Sequence, residues 1–195
     1  MILFHGTNYH SAINIFRSGI DLSYSKPFLD FGPGFYTTPD YQHAVRTAFN
    51  RTATYNAKYK KNESPYVIKM NFNLNKDLCF ADYSICDERW GNFVVNNRLS
   101  EETIEKYHII EHNKDKKYDI CYGVIADGQI TNIAYKINHG MILPGDICFK
   151  DFLKSDGTSY PMQYSFHTLK SVSCLDMISC NTARESRHKH DIKRR

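Results

Sequence analysis

The sequence lacks the long apolar run that a membrane-spanning helix requires, because no stretch approaches roughly 18 to 20 consecutive apolar residues. Its first residues, MILFH, have neither the charged n-region nor the long apolar core of a secretory signal. The six cysteines are scattered and form no CxxC pair, which argues against a zinc site. These absences predict a cytoplasmic protein without membrane contact, whose thiols are reduced and mostly buried.

The net charge is also small, at +4, and much of it lies in residues 184–195. That segment has almost no apolar side chain to bury. We therefore expect one domain over residues 1–178 and a basic, disordered tail over 179–195. The tail is best interpreted as a solvated chain end, and contact with nucleic acid or an acidic partner is the less favoured alternative.

Aromatic residues are abundant, with 14 tyrosines and 12 phenylalanines, which favours a fold with many strands. Apolar patterning predicts strands at 2–4, 35–38, 65–72, 78–80, 118–126, 162–168 and 172–178. It predicts helices at 11–17, from 39 to beyond 49, and at 85–99, 101–108, 130–137 and 147–154. Ser11 is the expected N-cap of the first helix and Gly19 its terminating glycine. Because no regular βαβ repeat is present, the fold class is predicted to be α+β.

The segment from Asp30 to Thr38, DFGPGFYTT, combines a rigid turn with a short aromatic strand. Gly32 and Gly34 allow positive φ or a close approach of another chain, and Pro33 fixes φ between them. Such a turn either caps a core strand or lies beside a ligand. Taken alone, the segment favours neither interpretation.

Three short segments place a polar or aromatic group on a strand beside a turn: His5-Gly6-Thr7, Gly34-Phe35-Tyr36-Thr37 and Gln163-Tyr164-Ser165. In this order they resemble the ADP-ribosyltransferase superfamily, in particular its diphtheria-toxin-like and poly-ADP-ribose-polymerase-like branch with a His-Tyr-Glu triad. A little-characterised bacterial group of that superfamily is similar in four further marks: Asp30–Tyr36, Trp90–Arg98, Tyr118–Asp127 and Gln163–Thr168. These marks run in order up to about residue 175.

The resemblance implies a split β-sheet core with an NAD cleft and flanking helices. It implies cleavage of the bond between nicotinamide and ribose in NAD, through an oxocarbenium-like transition state. His5 would donate a hydrogen bond to the adenosine-side ribose, and Thr7 would add a hydroxyl. The Gly6 backbone would pair with the nicotinamide amide, because a missing Cβ permits the approach. Tyr36 would stack on the nicotinamide ring.

Three further residues belong to the implied NAD site. Gly34 would bring its strand close to the nicotinamide, and Phe35 would present a ring beside it. Arg98 would pair with the pyrophosphate, although a structural ion pair is the somewhat stronger interpretation. Asp30 is expected to cap the turn rather than to take part in chemistry.

Gln163 departs from the pattern, because the best-known transferases have a glutamate there. Glutamine donates and accepts hydrogen bonds but is neither charged nor a general base. The expected activity is therefore transfer of a single ADP-ribose to a protein or, less strongly, a nucleic-acid acceptor. The alternatives are an NAD glycohydrolase and a non-catalytic NAD- or ADP-ribose-binding module. By analogy, small bacterial members are often toxins or effectors, so an antitoxin is a possible partner.

Overall fold

A computed structural model describes residues 1–126, 128–147 and 161–183. Within them the chain forms two compact units, the first of residues 1–21, 36–76 and 172–183 and the second of residues 22–35 and 77–171. The strands are β1 (Ile2–Asn8), β2 (Phe35–Thr37), β3 (Pro65–Phe72), β4 (Phe80–Tyr83), β5 (Ile120–Val124), β6 (Met162–Phe166) and β7 (Leu175–Thr182). The helices are α1 (Tyr9–Ser18), α2 (Tyr41–Tyr59), α3 (Glu88–Asn97), α4 (Glu101–Lys106), α5 (Gly128–Asn138) and α6 (Leu169–Val172). Over the described ranges, no helix is both long and apolar enough to cross a membrane.

The first unit is an antiparallel sheet in the order β1-β3-β7, with α1 and α2 packed against it. The register places His5 of β1 and Cys180 of β7 on either side of Ile68, which is fully buried in the central strand. Along β3 the burial alternates for much of its length, as expected for a strand with one core-facing side. β3, the most apolar strand of the unit, is its central strand.

Local side-chain chemistry explains where the two helices of this unit begin and end. Asn8 is the N-cap of α1, since its side chain accepts a hydrogen bond from Ser11 N at 2.9 Å. Gly19, at φ 87°, ends that helix with its N–H on Ile15 O. Asp40 caps α2 by accepting from the N–H groups of Gln42 and His43. The prediction of Gly19 is confirmed, whereas the N-cap is Asn8 rather than Ser11.

The second unit is built on β4, β5 and β6. β2 is the outermost strand of this sheet on the β6 side, and its first residue, Phe35, belongs to the second unit. β5 pairs parallel with β4 and antiparallel with β6. α3 is anchored by Trp90, whose indole N–H donates to Val124 O at 3.0 Å. Next to it the rings of Tyr83 and Phe93 stack with centroids 4.2 Å apart.

The α+β class is confirmed, and β3 has the predicted bounds. β1 is longer than predicted, because pairing with β3 continues to Asn8, so His5-Gly6-Thr7 lies within the strand. The domain end expected at residue 178 falls inside β7, which pairs with β3 as far as Thr182. The predicted helix 147–154 and the tail from 184 on fall almost entirely outside the described residues. Of the five described cysteines only Cys121 is buried, so the prediction of mostly buried thiols is wrong.

Candidate functional site

β1 and β2 diverge immediately after a single bridge, and this divergence leaves an open edge on β1. Phe4 and Thr38 exchange both backbone hydrogen bonds at 2.9 Å, and the bridge between them is isolated. Backbone groups alternate in direction along a strand, so the N–H and C=O of Gly6 face the same edge as those of Phe4. No strand pairs with Gly6 on that edge among the described residues. We call the space bordered by His5, Gly6, Tyr36 and Arg51 the β1 notch.

The His5 ring bridges the two diverging segments. Its Nδ1 lies 2.6 Å from Tyr36 O, and since a carbonyl oxygen only accepts, Nδ1 carries the proton. Nε2 is then an acceptor and faces Arg51 Nη1 at 3.3 Å. Burial, reinforced by the Arg51 charge, lowers the pKa of His5 to about 3, although its bond to Tyr36 acts in the opposite direction. A neutral His5 therefore offers Nε2 to a ligand as an acceptor, the reverse of the donor role expected from the sequence.

Arg51 is the residue of the notch that sequence reasoning missed. It lies on α2, within a polar stretch that indicated only a helix end and an exposed loop. Its Nη1 lies 3.3 Å from His5 Nε2 and 3.4 Å from Gly6 O. The residue as a whole is exposed, but burial of its guanidinium lowers the pKa of Arg51. The arrangement places a partly desolvated cation next to the open edge of β1.

Gly6 is a glycine because α2 occupies the place of a side chain. A Cβ there would lie 2.0 Å from Ala44 O and 2.7 Å from Ala48 N, both backbone atoms. The missing Cβ thus permits close packing of strand on helix, a role that the sequence did not predict. The edge of Gly6 stays available, because backbone hydrogen bonds lie in the plane of the sheet.

The other residues predicted around the notch differ in exposure. Thr7 is buried, on the same side of β1 as His5. Along β2 the burial alternates, with Phe35 and Thr37 buried and Tyr36 half-buried. The Phe35 side chain is therefore part of the packed interior, and Tyr36 is the more accessible ring of the strand.

In the second unit, Asp30 is the centre of a buried polar cluster. Its Oδ1 accepts from Arg98, by Nη2 and by Nε at 3.1 Å, and its Oδ2 accepts from Gln163 Nε2 at 2.7 Å and from Ala126 N at 3.1 Å. Arg98 Nη1 also donates to Thr131 Oγ1 at 2.6 Å. The guanidinium of Arg98 is thus held in a structural ion pair, the stronger of the two interpretations from the sequence. We call these residues the Asp30 cluster.

A second polar set explains Gly34. His167, fully buried just after β6, donates from Nδ1 to Pro33 O at 2.8 Å, and its Nε2 lies 2.8 Å from Ser165 Oγ. A Cβ on Gly34 would lie 2.7 Å from His167 Nδ1. Burial lowers the pKa of His167 to about 4, so the ring stays neutral near pH 7. Gly34 therefore makes room for His167, which the sequence did not single out.

The structure brings four predicted residues together in the first unit, namely His5, Gly6, Thr7 and Tyr36. The other four, Gly34, Phe35, Arg98 and Gln163, belong to the second unit. Among them Arg98 and Gln163 meet through Asp30, whereas Gly34 contacts the His167 set. No group of three or more metal-binding side chains occurs among the described residues.

The fold and these sites define an α+β protein with two polar centres, one in each unit. Residues 1–177 match a protein family described as a protein of unknown function, DUF3990, and the chain belongs to that family. No curated protein and no solved structure matches the chain.

Proposed function

We propose that the chain is an NAD-dependent mono-ADP-ribosyltransferase whose triad is His5, Tyr36 and Gln163. The observation that carries the proposal is the β1 notch: an unpaired strand edge at Gly6, flanked by a neutral histidine and an accessible tyrosine ring. The resemblance of the His-Gly-Thr and Gly-Phe-Tyr segments to ADP-ribosyltransferases supplies the choice of ligand.

The Gly6 edge suits a carboxamide. A strand edge offers one N–H donor and one C=O acceptor, and the nicotinamide carboxamide offers the complementary acceptor and donor. Pairing at this edge leaves the pyridinium ring beside Tyr36, where ring stacking stabilises it. The carboxamide would pair with the backbone edge of Gly6 and would not enter the space where a Cβ would lie. The pairing is therefore compatible with α2, whose backbone occupies that space.

The neutral state of His5 suits an oxocarbenium-like transition state. A ribose hydroxyl can donate to His5 Nε2, replacing Arg51, while Nδ1 stays bonded to Tyr36 O. Since the ring carries no charge near pH 7, it does not repel the cation that develops as the bond between nicotinamide and ribose C1′ breaks. The electron pair of that bond leaves with neutral nicotinamide, and the acceptor nucleophile forms the new bond to C1′ and releases its proton to solvent.

Arg51 rather than Arg98 is our candidate for contact with the NAD diphosphate. Arg51 shares its Nη1 between two weak contacts at 3.3 and 3.4 Å, and burial of its guanidinium lowers its pKa. Arg98 is already bonded to Asp30 and Thr131. Arg51 can therefore engage a phosphate in charge-assisted hydrogen bonds without breaking the ion pair that holds Arg98.

The test follows two products from one reaction. The purified chain is incubated with NAD labelled in the adenosine moiety and with total cell lysate, and both free nicotinamide and label on macromolecules are measured. Label on protein or nucleic acid together with nicotinamide supports transfer, whereas nicotinamide without label indicates a glycohydrolase. Neither product, with measurable NAD binding, indicates a binding module, and no binding at all refutes the proposal.

Matched variants assign any activity to the notch. His5→Ala and Tyr36→Ala are expected to lower nicotinamide release at least 10²-fold, because each removes a contact to the reacting half of NAD. His10→Ala and Tyr24→Ala remove the same side chains at exposed positions and should leave the rate unchanged. Full activity in both notch variants would show that the site is elsewhere.

A further inference from the structure

The side-chain amide of Gln163 is held in one orientation by Asp30. An amide offers a donor end and an acceptor end, and the identity of the partner decides which end faces it. The partner is the carboxylate oxygen Asp30 Oδ2, which also accepts a hydrogen bond from Ala126 N. Because this oxygen has no proton to donate, the donor end of the Gln163 amide, Nε2, must face it. Gln163 Oε1 is consequently the end directed away from Asp30, and no donor among the described residues bonds it.

Arg98 fixes the place of Asp30. Two guanidinium donors converge on Oδ1, which leaves Oδ2 for Gln163 and Ala126. A charged partner makes these hydrogen bonds stronger than neutral ones. Asp30 is 6% exposed, so an uncharged or displaced side chain here would leave the Arg98 charge, which is partly buried, without its partner.

We propose that Asp30 is a positioning residue, which orients Gln163 so that its carbonyl oxygen, Oε1, is presented to the ligand as an acceptor. The inference rests on the proposed function, in which Gln163 is the third residue of the triad. The acceptor oxygen takes the place of the carboxylate oxygen that the related enzymes direct at the ribose hydroxyl. The negative end of the amide dipole then faces the cation that forms at the ribose.

The same geometry predicts the result of restoring the glutamate. In Gln163→Glu, two carboxyl groups would lie about as close as the present 2.7 Å contact, so one of them must hold a proton. Asp30 Oδ1 is already bonded to the Arg98 guanidinium, so the new glutamate is the carboxyl group that copies glutamine by donating to Oδ2. This variant is expected to be no more active than the native chain.

Exchanging the two side chains reverses the polarity of the pair. In Asp30→Asn alone, the introduced amide directs its oxygen to Arg98 and its NH₂ to residue 163, so the Gln163 amide turns over and presents Nε2 outward. In Asp30→Asn with Gln163→Glu, that NH₂ donates to an ionised glutamate, which presents its second oxygen outward. The double variant thus restores an acceptor oxygen at residue 163, but the Ala126 N–H loses the carboxylate oxygen to which it donates.

The experiment combines kinetics with a spectroscopic signature, using the full chain and NAD itself. Asp30→Asn is expected to lower kcat for nicotinamide release about 10²-fold, and the double variant is expected to recover at least the native kcat. Asp82→Asn, an exposed aspartate on β4, is the matched control. If Asp30→Asn stays within twofold of the native kcat, or the double variant is no better than the single one, the proposal is overturned.

The signature is the side-chain NH₂ signal of Gln163 in a ¹⁵N–¹H spectrum, assigned by its loss in Gln163→Glu. In the native chain one of its protons should be shifted downfield and protected from exchange by the bond to Asp30, and both features should vanish in Asp30→Asn. An unchanged signal in Asp30→Asn overturns the proposal. If the native chain neither binds nor cleaves NAD, the proposed function fails, and this signal alone decides whether Asp30 orients Gln163.

Discussion

Replacing Gly6 by alanine tests whether β1 and α2 are packed as closely as the structure shows. The added Cβ would meet Ala44 O at 2.0 Å, whereas ordinary contact begins at 3.4 Å, so the strand and helix must separate locally by up to 3.4 − 2.0 = 1.4 Å. The obstructing atoms belong to the backbone of α2 and cannot turn aside as a side chain can. Ala44, Val45 and Ala48 are at most 1% exposed, so the helix has no free space into which it can shift without opening a gap.

The expected cost is at the upper end of the range for overpacking, about 3 kcal/mol. For a chain of this size that corresponds to a fall in Tm of roughly 6–12 °C. Differential scanning calorimetry or circular dichroism measures it. Gly128→Ala is the control, because a Cβ there meets nothing within 4 Å, and its Tm should change by no more than about 2 °C.

A second substitution separates the backbone clash from general sensitivity of the region. Ala44→Gly removes a side chain but not the carbonyl oxygen, so combining it with Gly6→Ala should give no rescue. Equal stability of Gly6→Ala and the native chain, or recovery in the double variant, would refute this account of Gly6.

Two further predictions concern stability. The pKa values of His5 and His167, about 3 and about 4, lie below the 6.5 of the unfolded state. As the pH falls below 6.5, the unfolded state therefore binds more protons than the folded state, and the folded state loses stability. Each ring should contribute a loss of about 2 kcal/mol between pH 6.5 and 5, measured by urea unfolding, and His167→Asn should show a shallower pH dependence if it folds. Trp90→Phe removes the donor to Val124 O and should cost about 1–3 kcal/mol, which the same urea assay measures; no change would mean that the buried carbonyl finds another donor.

Features set by neighbouring residues could be predicted from the sequence. The alternation from Pro65 to Phe72 gave the bounds of β3, and the position of Gly19 after an apolar face gave the end of α1. These signals depend on side-chain periodicity and on backbone conformation, both of which are local properties. The prediction of Ser11 as N-cap failed because β1 continues to Asn8, and strand length is set by pairing with β3.

Features set by distant residues could not be predicted. Asp30 and Gln163 lie 133 positions apart, and Arg51 lies 46 positions from His5, so no local pattern joins them. The same limit applies to the glycines. The sequence shows that Gly6 and Gly34 allow close approach, but whether a ligand, a helix or a histidine ring approaches is decided by tertiary packing.

The central claim is that NAD binds at the β1 notch, and chemical-shift mapping of the full chain with NAD tests it most directly. The account predicts that the backbone amides of Gly6 and Tyr36 shift in proportion to NAD occupancy, with smaller changes at Thr7. His5→Ala should weaken the NAD affinity measured from these shifts. Saturation with no change at Gly6 or Tyr36, or shifts confined to other residues, would contradict the claim.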